Sequence, residues 1–83
     1  MNPPLPMQAL RTLEKLNTGV SACIDSINVE LELRKRFAAL GLRPGKWVQV
    51  LRRASWGGPI HLRVGTTEII LRRHEARCIA VAP

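Results

Sequence analysis

The clearest pattern lies between residues 60 and 64. Ile60, Leu62 and Val64 alternate with His61 and Arg63, the two-residue period of a strand with one buried face. His61 and Arg63 are therefore expected outward. Gly65-Thr66 follows as a tight turn, and 67–71 returns as the next strand. Earlier, Val20, Ala22 and Ile24 alternate with Ser21, Cys23 and Asp25, a first half-buried strand, with Ile27 expected inward again after a bend. The run from Trp47 to Arg53 sets Val48 and Val50 on one face. A last strand from Cys78 to Val81 does the same with Ile79 and Val81. Between the first and second strands the period changes. Leu33, Phe37 and Leu40 stand at i, i+4 and i+7, the stripe of an amphipathic helix, predicted over 29–40 with Asn28 as its N-cap.

The polar punctuation supports these elements. Gly41 stands where a helix wants a left-handed residue, and Leu42 can fold back onto the last turn. Arg43-Pro44-Gly45-Lys46 has proline and glycine at the two central positions of a type II turn. Trp56-Gly57-Gly58-Pro59 separates two strands, with Trp56 expected exposed at a hairpin tip. Thr12 is expected to cap a short helical turn presenting Leu13 and Leu16, and Arg72 to Ala76 reads as a single helical turn. Pro3, Pro4 and Pro6 mark residues 1–11 as an extended, flexible arm. Five short strands joined by tight turns, with one helix inserted near 29–40 and a short N-terminal helical turn, predict a mainly β domain over 12–82, a small closed barrel.

Composition adds charge to this outline. The chain of 83 residues, 46% hydrophobic, is one domain and not a disordered segment. Its aromatics are Phe37, Trp47 and Trp56 alone, so the core must be aliphatic. Net charge is +7, and no acid occurs from Leu33 through Thr67. Such a basic middle attracts nucleic acid, anionic lipid or an acidic protein surface; a solvated basic surface with no dedicated partner is the plainer alternative. Arg52-Arg53 and Arg72-Arg73 flank strand ends and can converge on one face. With Trp47 and Trp56 beside them they are the partner-binding candidates, although Trp47, next to a turn, reads equally well as packing.

Catalytic chemistry finds little support. Ser21, Ser26 and Ser55 lack a nucleophile-elbow context, no glycine-rich phosphate loop precedes a lysine and a helix, and the carboxylates are scattered. The chain is therefore read as no enzyme. Cys23, Cys78, His61 and His74 lack zinc-site spacing. Pairing of first and last strands could bring Cys23 and Cys78 together, with His74 joining them, and strand parity places both thiols outward. The spacing assigns neither a metal ligand nor a cofactor, and the plain reading is two inert thiols and two surface histidines. Two cysteines make no disulfide framework. The opening MNPPLPMQAL lacks the form of a signal peptide, and no run reaches the ~18 apolar residues of a membrane span. A cytoplasmic, non-spanning protein is expected.

Order and spacing together point further. FAALGLRPG, KWVQVLRRASWGGP and IHLRVGTTEIILRRHEARCIAV, preceded by TLEKLNTGVSACI, resemble the FeoA family from Thr12 to Val81. Trp47, Trp56, Phe37 and the N-terminal arm depart from the family pattern. The resemblance implies an SH3-like barrel with an inserted helix. It also implies a non-enzymatic cytosolic accessory of ferrous iron uptake that contacts the cytosolic part of the FeoB transporter, its basic face docking on an acidic surface of that protein or sitting near the inner membrane surface. It carries no ligand motif onto these positions. A nucleic-acid-binding barrel is one alternative, favoured by charge and opposed by the lack of aromatics on alternating strand positions. A transition-metal-responsive regulatory domain is the other, since similar barrels occur fused to metal-dependent repressors, but the chain lacks a DNA-binding helical domain. No nucleic acid is expected as partner.

Overall fold

The computed structural model describes residues 11–82. In chain order they form β1 (Arg11–Thr12), a 3-10 turn (Leu13–Lys15), β2 (Ser21–Ile27), α1 (Leu31–Ala39), β3 (Trp47–Arg53), β4 (Ile60–Val64), β5 (Thr67–Leu71), α2 (Arg73–Ala76) and β6 (Ile79–Ala82). The strands make one antiparallel sheet in the order β1-β6-β2-β3-β4-β5. Five of them are those the alternation predicts. The sixth, β1, pairs Arg11 with Val81 and Thr12 with Ala80; two residues are too few to show a period. Arg11 thus belongs to the sheet, and the rest of the arm expected for residues 1–11 lies outside the described residues. Cys78 falls in the turn before β6, not in the strand.

The core is aliphatic apart from Phe37, which is 2% exposed. Each alternating strand contributes its inward set: Ala22 and Ile24, Val48 and Val50, Ile60, Leu62 and Val64, Ile69 and Leu71, Ile79 and Val81. Bulges interrupt the register between Ile24 and Ser26 and between Val50 and Arg52. The first returns Ile27 to the core, as the expected bend requires.

The helix starts two residues later than its stripe suggests. Glu30, not Asn28, is its N-cap residue, without a side-chain cap bond. Asn28 is held elsewhere, its N–H donating to the Cys78 carbonyl at 2.8 Å. Arg34 reaches back to the carbonyls of Ile27, at 3.2 Å, and Val29, at 3.5 Å, so side chain and backbone together fasten this entry. Thr12 likewise precedes its 3-10 turn without making a side-chain cap bond. At the other end Gly41, with φ +95°, sends its N–H to Ala38 at 3.0 Å, and Leu42 sends its N–H to Phe37 at 2.9 Å. Those two bonds define a Schellman motif. The reversal carries Leu42 into the core at 0% exposure and leaves Leu40 outside at 44%, so Leu42 replaces Leu40 in the expected apolar stripe. The type II turn follows, with Gly45 at φ +90° and the Lys46 N–H on the Arg43 carbonyl at 3.1 Å.

Candidate partner interface

β5 is the last strand of the sheet, and its parity turns Ile69 and Leu71 inward and Ile70 outward. Ile70 lies opposite His61 and is 67% exposed. The chain then leaves β5 through Arg72 into α2. Glu75 accepts the Arg72 backbone N–H at 2.9 Å, and Ala76 is the residue of that turn that enters the core. Arg72 is left exposed and Arg73 half-buried. Across from them stand α1, through Arg36, and the β3–β4 loop, through Gly57, Gly58 and Pro59. Together with Ile70, His74, Glu75 and Arg77 they line an open groove of about 830 Å³. A smaller hollow of about 270 Å³, lined by Arg52, Arg53, Ala54, Pro59, His61 and Ile70, adjoins it. Pro59 and Ile70 belong to both, so the two form one continuous basic face.

Glu75 is the acid in the lining of this groove, against four arginines. The ion pairs among the described residues are Lys35–Glu32, His61–Glu68 and Arg77–Glu14, which leaves Arg36, Arg52, Arg72 and Arg73 without a carboxylate partner there. Arg73 makes only a long bond to the Ala54 carbonyl, 3.5 Å, and its Nε is buried without a hydrogen-bond partner. Arg77 is tied to Glu14 at 2.7 Å.

The sequence candidates divide three ways. Arg52, Arg72 and Arg73 converge as expected, while Trp56 lines neither hollow and stands 102% exposed on the tip of the β3–β4 loop, next to Gly57, which lines the larger one. Arg53 also lines the smaller hollow, but its guanidinium is committed elsewhere. It donates to the carbonyls of Leu16 and Glu14, clamping the 3-10 turn to β3. The bulge explains the division, since Arg52 faces solvent while Arg53 turns toward the N-terminal segment. Trp47 does not join the face. It opens β3, opposite Cys23, while the face lies beyond the strand's other end, roughly 20 Å away at the rise of a strand. Arg36 is the residue that sequence reading missed as part of this face. Its place in a basic helix end is explained by the helix dipole alone, and only tertiary packing turns it toward Arg72.

The possible thiol pair does not form. Cys23 lies opposite Ala82, whereas Cys78 lies beside Asn28, five positions along β2 and about 16 Å away at strand spacing. Both are half-buried, so neither points freely outward. The Cys78 thiol lies 3.5 Å from the His74 carbonyl, and His61 Nε2 is 3.0 Å from Glu68. Among the described residues no three His, Cys, Asp or Glu side chains are grouped to hold a metal ion. No helix described is long and apolar enough to cross a membrane.

Comparison with solved structures places this arrangement among known relatives. A FeoA protein from Chlorobium tepidum matches with 35% identity and TM-score 0.82, over 87% of this chain and 69% of that one. A FeoA crystal structure described as an iron uptake regulatory protein matches with 25% identity and TM-score 0.81, over 88% and 96%. The FeoA of Stenotrophomonas maltophilia complexed with zinc, described as a prokaryotic SH3 domain protein, gives 28% identity and TM-score 0.73, over 86% and 88%. A manganese-dependent transcriptional repressor, at 21% identity and TM-score 0.83 over 95% of this chain and 44% of that one, shares the fold. Curated proteins returned no match. The family model of the FeoA domain matches residues 11–83, and the chain, an SH3-like barrel, belongs to the FeoA family.

Proposed function

We propose that this protein is a non-enzymatic accessory of ferrous iron uptake that docks on the cytosolic part of a FeoB-type transporter through the face around Ile70 and Pro59. The observation that carries the reading is the set of four arginines, Arg36, Arg52, Arg72 and Arg73, brought to one face without a carboxylate partner among the described residues. Family membership supplies the context, and the Stenotrophomonas maltophilia relative is described as a candidate ferrous iron transport activating factor. A face of this kind suits an acidic protein surface: Ile70 and Pro59 offer an apolar centre, and the arginines form a charged surround. The iron is the transporter's cargo in this reading. The separation of the two thiols by the strand register and the engagement of His61 with Glu68 support this reading over a metal site at Cys23, Cys78, His61 or His74. Outward positions of the β4–β5 hairpin are His61, Arg63, Glu68 and Ile70, with no aromatic platform for bases, which supports a protein partner over nucleic acid.

Surface plasmon resonance with the cytosolic domain of a FeoB-type transporter tests the docking. The expected result is binding that weakens with salt and associates more slowly in Arg52→Glu/Arg72→Glu. Absence of binding at low salt, or unaltered kinetics in that variant, would overturn the reading.

A further inference from the structure

Trp56 is 102% exposed and sits at φ +62°, while every other residue described with φ in this range is glycine. A large ring held in water on a left-handed backbone contributes nothing to the core and adds strain to its turn. Its chain neighbours Ser55 and Gly57 are also exposed and add no apolar surface beside it. An aromatic anchor in a protein interface relies on surrounding contacts to exclude water. An indole at a bilayer surface does not, because its ring settles at the polar–apolar boundary by itself. Directly behind the tip, Gly57 and Gly58 line the groove with Arg36, Arg72, Arg73 and the acid Glu75, whose carboxylate is taken up by the Arg72 backbone N–H, and the orphaned Nε of Arg73 lies there. Guanidinium groups match phosphate oxygens in both charge and geometry.

We propose that the β3–β4 tip and the groove behind it bind an anionic phospholipid surface, Trp56 entering the headgroup boundary and Arg36 and Arg72 meeting lipid phosphates. Charge complementarity selects this occupant, since the stretch from Leu33 through Thr67 that carries the tip contains no acid and the chain has net charge +7. The groove shares Arg36 and Arg72 with the face proposed above for the transporter, so the lipid contact is tested without that partner.

The experiment is co-sedimentation of the full chain with vesicles of phosphatidylglycerol and phosphatidylcholine, against pure phosphatidylcholine. Binding is expected only to the anionic vesicles and should weaken as salt is raised. Arg36→Gln/Arg72→Gln should lower the partition roughly thirtyfold, the effect of about 1 kcal/mol per basic group near an anionic surface. Trp56→Ala should lower it roughly tenfold, or about 1.4 kcal/mol. In a Trp47→Phe background the emission of Trp56 should shift to the blue on anionic vesicles and be quenched by brominated lipid. If that background does not fold, sedimentation of the unaltered chain against Trp56→Ala decides. Failure to sediment at low salt overturns the proposal. So does equal binding by Trp56→Ala, which would make the attraction purely electrostatic. A Trp56 emission shift produced by the transporter's cytosolic domain but not by vesicles would assign the tip to a protein interface and also overturn it.

Discussion

Gly41 and Trp56 occupy the same backbone region at different cost. A Cβ on Gly41 would meet only the Val64 Cγ1 atom, at 3.5 Å, which is ordinary contact. The penalty for replacing it is therefore conformational, and Gly41→Val should destabilise the domain by about 1–2 kcal/mol. In a domain this size that lowers the melting midpoint by about 4–8 °C per kcal/mol. Trp56 already bears such a penalty, so Trp56→Gly should raise stability by up to about 1 kcal/mol after the flexibility glycine adds to the unfolded chain is subtracted. Denaturant midpoints of the two variants should move in opposite directions. Phe37 was legible from its mid-stripe position, and Phe37→Ala should cost roughly 3–5 kcal/mol, enough to leave much of the chain unfolded at moderate temperature. Far-UV circular dichroism on heating measures it. Leu40 was misread, since a stripe written as i, i+4, i+7 cannot show that the last turn is already reversing.

At the scale of elements, the β3 bulge is the decisive detail. Strict alternation from Val48 and Val50 would carry Arg52 toward the core. The extra residue between Val50 and Arg52 turns Arg52 out and gives Arg53 to the N-terminal segment. Two adjacent arginines therefore differ in consequence. Arg53→Met leaves the Leu16 and Glu14 carbonyls without their donor and should cost about 1–3 kcal/mol, with faster amide exchange through 13–16. Arg52→Met should stay within about 0.5 kcal/mol of the unaltered chain, as exposed substitutions do. Equal destabilisation by the two would show that the division of labour is wrong. The entry to α1 has the same character: Asn28 has the chemistry of an N-cap, but its backbone is already committed to the Cys78 carbonyl.

For the whole molecule, the sheet order brings α1, the β3–β4 loop and the segment after β5 to one side, and the arginines of three separate stretches meet there. Their attraction for an anionic partner acts over about a Debye length, roughly 10 Å at 0.1 M salt and 3 Å at 1 M. The association rate with the proposed transporter domain should accordingly fall about tenfold or more from low salt to ~0.5 M, while dissociation changes much less. Stopped-flow or resonance measurements across that range check it. A salt-independent association rate would locate the contact elsewhere on the surface.

Sequence alone determined what depends on neighbours along the chain. Period-two runs bury one face of each strand, Gly41 and Gly45 supply the positive φ that their turns need, and Phe37 follows from helical spacing. The FeoA resemblance could likewise be read from the order of those segments. Tertiary structure decided whatever depends on register. A two-residue strand acquires its identity only from Val81 and Ala80 opposite it. Cys23 and Cys78 lie on neighbouring stretches yet are kept apart, because antiparallel pairing sets one against Ala82 and the other beside Asn28. Arg36 joins Arg72, and Trp47 parts from Trp56, for the same reason: a surface is assembled by packing between elements, and no local pattern records which outward residues will share it.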